Sequence, residues 1–146
     1  MRTILTAILL TTATPALADP CGDLIDRVAA ETRAEVGNRS LDFANFSLAS
    51  DTSLTLACGE PSSVGAQFRG ETPPDSYYRL FGRAGHVVTG IDAATIEKAA
   101  HAARDAAARL RHSNVDAGGA RITCSVTNSG KGPLTLCAVS EHSEKS

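Results

Sequence analysis

Two groups of side chains recur at intervals that can do chemistry. Glu97, His101 and Asp105 stand four residues apart. On a helix that interval places three metal-ligating side-chain types on one face. His112 returns to nearly the same angle, but eleven residues at ~1.5 Å each set it about 16 Å from His101, too far to share one ion. The same ladder continues to Arg109, as a solvated charge stripe does, and a metal would need further ligands from other elements. The expectation is therefore no metal and no cofactor.

The second group is Arg79, Arg83 and His86, with Tyr77 and Tyr78 beside it. Two guanidinium forks one helical turn apart can hold a carboxylate or a phosphate. They can equally lie in solvent, their stems covering apolar surface while the tyrosines pack inward. The ridge is a candidate surface for a ligand or partner.

Covalent catalysis finds little to build on. There is no Gly-x-Ser-x-Gly, and Ser62-Ser63 has no base beside it in sequence. Carboxylate pairs can be drawn from Glu60, Glu71 and Asp75, but only geometry distinguishes a glycosidase pair from acids in general. A small hydrolase assembled from distant elements would draw on His86 and His101 for acid-base work. Trp is absent and the aromatic residues are few. Exposed stacking platforms for sugars or single-stranded nucleic acid are thus not indicated.

The four cysteines, Cys21, Cys58, Cys124 and Cys137, are read as two structural disulfides rather than nucleophiles or metal ligands. No pair has Cys-x-x-Cys spacing, which argues against a thioredoxin-like centre or a zinc knuckle. Of three connectivities, Cys21–Cys58 with Cys124–Cys137 is preferred, because the second pair flanks one hairpin and the first ties an opening helix to a strand.

The oxidising compartment that this requires is supplied by the first 18 residues. Arg2 gives a positive start, residues 4–10 an apolar stretch, and Ala16-Leu17-Ala18 a small-x-small cleavage site. The apolar stretch is too short to span a bilayer. Asp19-Pro20 before Cys21 does not fit a lipoprotein signal, and a twin-arginine pair is lacking. Periplasm is the first choice of location and the medium the second, the Ala- and Arg-rich composition suggesting a bacterium. The whole chain carries a net charge of −2, with signs interspersed. No basic stripe offers itself to nucleic acid or anionic lipid.

The elements that must position these residues follow from periodicity. Helix A is predicted over 20–36, capped by Asp19-Pro20, stopped by Gly37, with Ile25, Val28, Ala29, Thr32 and Val36 inward and Asp23, Arg27 and Glu31 outward. Residues 41–69 alternate as three strands of a meander, with a bulge near Ala44-Asn45 to reconcile Leu41 and Phe43 with Phe46 and Leu48. Thr72-Pro73-Pro74-Asp75 starts helix B, weakened by Gly82 and Gly85. Asp92 caps helix C, whose inner stripe is Ile96, Ala99, Ala100, Ala103, Ala107 and Leu110. Arg109, Arg111 and His112 stand at its C-terminal end.

Gly118-Gly119 opens a final hairpin with its turn at 128–133. If Cys124 faces Cys137 there, Leu134 and Leu136 point away from the face of Ile122 and Val126; a one-residue slip reverses this. The sum is a two-layer α+β fold, α-β-β-β-α-α-β-β, with helices on one face of a five-stranded antiparallel sheet. It occupies one domain over 19–140, followed by a polar tail at 141–146. The functional expectation is a small exported non-catalytic binding or structural protein of the bacterial envelope, partnered by another envelope protein or a small ligand. The periplasmic hydrolase is the alternative.

Overall fold

The structure, a computed structural model, describes residues 17–48 and 51–142. The leader expected over 1–18 falls almost wholly outside them, as do residues 143–146 of the tail. The chain is α+β. Its order is α1 (Pro20–Thr32), β1 (Glu35–Arg39), β2 (Phe43–Ser47), β3 (Thr52–Ala57), β4 (Ser63–Arg69), α2 (Asp75–Thr89), α3 (Ala93–Leu110), β5 (His112–Ala117), β6 (Ala120–Ser129) and β7 (Gly132–Glu141). Among the described residues the strands form one antiparallel sheet of seven, not five, in the order β1-β2-β3-β4-β7-β6-β5.

Both additional strands are edges. Helix α1 ends at Thr32 because Arg33 turns left-handed (φ 57°) as its C-cap. Val36 and Gly37, expected at the end of a longer helix, therefore lie in β1. At the other edge, Gly118 and Gly119 both take positive φ and form a two-residue turn between β5 and β6. That conformation suits glycine and matches strand twist. His112 thus begins a strand instead of finishing a helix; Arg109 alone stands in the basic last turn of α3, with Arg111 as its C-cap.

The expected meander is present as β2-β3-β4, in regular register from Phe43↔Ala57 and Thr52↔Phe68 onward. Its predicted internal bulge is not. The irregularity lies across from it, in β1 between Val36 and Arg39, opposite Phe46 and Ala44. Phe43 and Leu41 simply face outward while Ala44 and Phe46 are buried. In the last hairpin Cys124 pairs directly with Cys137. Leu136 accordingly sits on the outer face, 42% exposed. The hairpin is longer than predicted at both ends, from Ala120↔Glu141 to Ser129↔Gly132, so Glu141 belongs to β7 and not to a tail.

All three helices cover one face of this sheet. Helix α1 meets β1 and β2, α2 meets β4 and β7, and α3 meets β5 and β6. Between the layers lie Ile25 and Val28 from α1, Tyr77 and Phe81 from α2, Ile96 from α3, and Phe46, Leu54, Leu56, Val64, Ile122 and Val139 from the sheet. Burying each large apolar side chain is worth about 1.5–3 kcal/mol. The glycines that weaken α2 as an isolated helix are what let it pack. A Cβ at Gly82 would stand 2.6 Å from the Ala93 carbonyl oxygen, and one at Gly85 would stand 2.9 Å from Ile96 and from Val139.

Two disulfides, Cys21–Cys58 and Cys124–Cys137, join the pairs preferred from sequence. The first ties the opening turn of α1 to the end of β3; the second bridges adjacent strands beneath α3. They hint at an oxidising environment. Among the described residues no helix is long and apolar enough to cross a membrane.

Candidate functional site

Arg79, Arg83 and His86 are all exposed along the outer side of the middle helix. Neither arginine has an ion pair among the described residues. His86 serves to position the backbone, since its Nδ1 lies 2.8 Å from the Ile91 carbonyl, where it holds the turn into α3. The three side chains share a ridge, and none of them lines either cleft beside Cys21–Cys58.

Glu97, His101 and Asp105 do fall on one side of α3, yet the described residues contain no group of three His, Cys, Asp or Glu placed to hold a metal. His101 is engaged elsewhere. Its ring stacks on Tyr78 of α2, with centroids 3.6 Å apart and planes 24° from parallel. Tyr78 meets Tyr77 edge-on at 5.2 Å, and Tyr77 meets Phe68 at 6.1 Å. The buried Tyr77 hydroxyl donates to the Ala66 carbonyl at 2.7 Å. Burial pushes the phenol of Tyr77 well above its ordinary range, and that of Tyr78 upward as well.

Arg104 closes this seam from the far side. Its Nη2 donates to the Glu71 carbonyl at 2.6 Å and its Nε to Thr135 Oγ1 at 3.4 Å. Thr135 is fully buried. One guanidinium thus ties the segment before α2 to the sheet. These groups brace the α2–α3 seam. Sequence reasoning missed Arg104 and Thr135. The only sign was a threonine on the inward parity of an otherwise apolar strand.

Concave surface also opens near the other end of β4, around the disulfide Cys21–Cys58. Two clefts flank the 59–62 loop. One of about 530 Å³ is lined by Gly59, Pro61, Ser62, Val88, Glu141 and His142. The other, of about 490 Å³, has the more apolar wall, with Pro20, Leu24, Leu41 and the Cys21–Cys58 bridge. Its rim carries Asp23, Asp42 and Glu60 against a single cation, Arg27. The loop is held by the Ser62 hydroxyl, which donates to the Gly59 carbonyl at 3.2 Å; Ser62 is thereby a loop brace. Leu41 is 92% exposed, although it sits beside an apolar floor. Expected in a strand from sequence, it lies instead in the turn before β2, which frees it to stand out.

Comparison of the chain with known protein families, curated proteins and solved structures returned no match.

Proposed function

We propose that this protein is an exported, non-catalytic binding protein of a bacterial cell envelope, and that it docks a partner segment of apolar and basic side chains in the cleft beside Cys21–Cys58. The observation that carries this is Leu41. A leucine left 92% exposed at the mouth of an apolar cleft offers transferable hydrophobic area, and three carboxylates against one arginine around it favour positive charge in whatever covers it. Export is supported by the leader-like first 18 residues and by the two disulfides.

The test uses short synthetic peptides in which Leu is interleaved with Lys or Arg, and matched peptides carrying Asp or Glu. Titration followed by backbone amide shifts is expected to move Leu24, Leu41, Asp42 and Glu60 with the basic set alone. Leu41→Ser, which removes no core contact, weakens that binding at least tenfold, since the lost burial is about 1.5–3 kcal/mol. Equal response to both peptide sets, or full binding by Leu41→Ser, overturns the docking site. A hydrolase panel tests the non-catalytic half separately: activity that vanishes with His86→Ala or His101→Ala refutes it.

A further inference from the structure

The two free edges of the sheet are not alike. Strand β1 is five residues long, wholly exposed and bulged between Val36 and Arg39, features that spoil an edge as a template for another strand. Strand β5 is regular over its six residues, with no bulge, proline or lysine. Nothing among the described residues pairs with its outer side.

Which backbone groups it leaves open follows from the ladder. Ala117 and Ala120 flank the two-residue turn and bond to each other, and bonded pairs alternate along antiparallel strands. Val115 and Ser113 therefore also turn their amides toward β6, and the Arg111 carbonyl accepts from the Val126 amide at 2.9 Å. The close approach of Cys124 to Cys137, 4.1 Å between Cα atoms, marks the non-bonded kind of pair on the next ladder and agrees with this phase. The amides and carbonyls of His112, Asn114 and Asp116 are left facing the open edge.

We infer that β5 is a homodimer edge: a second copy of this chain adds its β5 antiparallel about a two-fold axis at Asn114, joining two sheets into one. Residue type supports that axis as well as hydrogen-bond phase. With Asn114 opposite itself, His112 of each copy stands opposite Asp116 of the other, an imidazole beside a carboxylate at both ends of the joint. A slip of two residues loses both pairs. Asp116 keeps its own cross-strand partner, Arg121, at 2.9 Å, so each row across the joint alternates cation, carboxylate and imidazole.

The helical layer is compatible with the same axis. Helix α3 lies over β5 and β6. With strands about 4.8 Å apart, a helix above their midpoint sits about 5 Å from the axis, so two copies of α3 run about 10 Å apart, an ordinary packing distance. The flank of α3 turned away from α2 carries Ala102, Ala106 and Leu110. Leu110 is 70% exposed in the single chain, and the second helix gives it a partner.

Sedimentation equilibrium of the purified protein is expected to report a dimer, with the amides of His112, Asn114 and Asp116 slow to exchange hydrogen and the amides on the open side of β1, away from β2, fast. Asn114→Pro removes the two axial hydrogen bonds at a position where an edge strand tolerates proline. It should weaken the dimer about thirtyfold, while circular dichroism and peptide binding at the Cys21–Cys58 cleft stay unchanged. His112→Glu, which sets carboxylate against carboxylate across the joint and leaves the backbone alone, weakens it as well. A monomer, a dimer whose β5 amides exchange freely, or a dimer indifferent to both substitutions overturns the inference.

Discussion

Gly82→Ala sets two physical rules against each other in one residue. Helix propensity alone favours alanine by about 1 kcal/mol in a helix interior. At this position, however, the new methyl would stand 2.6 Å from the Ala93 carbonyl oxygen, 3.3 Å from its carbon and 3.4 Å from Glu97 Cβ. The first obstruction is backbone at the start of α3 and cannot rotate aside, so the seam between the two helices must open. Overpacking of this kind costs typically 1–3 kcal/mol, and losses spread to the contacts around Phe81 and Ile96. The net expectation is a destabilisation of up to about 2 kcal/mol, lowering Tm by up to roughly 8 °C. Urea titration at unchanged slope, with calorimetry, measures it. Gly85→Ala meets the side-chain tips of Ile96 and Val139, which can shift, and should lose less. If Gly82→Ala instead raises Tm, close α2–α3 packing is not what fixed this glycine.

The chain-entropy relation assigns the longer disulfide, with a separation of 37 residues, about 4 kcal/mol. Replacing Cys21 and Cys58 by Ala should remove most of that in equilibrium unfolding. Under mild reductant with the fold intact, Cys21 and Cys58 should alkylate well before the fully buried Cys124 and Cys137; equal rates by mass mapping would contradict the enclosure of the second bridge. Tyr77→Phe should cost about 1 kcal/mol through the lost bond to Ala66. It should also flatten the alkaline limb of stability. Burial holds the Tyr77 phenol high in the folded chain, so the unfolded chain releases that proton first, and stability is intact below about pH 10 and falls above it. A wild-type profile that stays level above pH 10, with no difference in the variant, would sink this reading.

Where side chains are sorted sharply between core and water, the sequence already displays the elements. Helix α3 is readable from Asp92, whose side chain accepts from the Thr95 amide at 3.1 Å, and the strands β2 to β4 from alternation. The two edge strands are not. Residues 35–39 are exposed at every position, and in β5 only Val115 and Ala117 offer apolar inward surface, so neither carries a period to detect. The stop of α1 is misplaced from sequence for a related reason: Arg33 takes the left-handed cap itself, and the nearest glycine belongs to a strand. At the candidate sites, helical spacing alone is enough to place Arg79, Arg83 and His86 on one ridge. The engagement of His101 with Tyr78, and of Arg104 with Glu71 and Thr135, depends on how α2 and α3 cross, which no local spacing encodes. The cleft at Leu41 is equally hidden, because its walls come from α1, the turn before β2 and the loop after β3.

The pairing of β4 with β7 divides the chain into two sequence-contiguous halves. Strands β1 to β4 and α1 lie on one side of that seam; α3 and β5 to β7 lie on the other. Each disulfide stays within its own half. Disulfide reinforcement therefore stops short of the midline, where seven residue pairs from Ser63↔Ser140 to Arg69↔Leu134, the Gly70 amide donating to the Pro133 carbonyl, the bond from Arg104 to Glu71 and the splint of α2 join the halves. Reducing either bridge therefore loosens one half only, and the midline has no cross-link to lose.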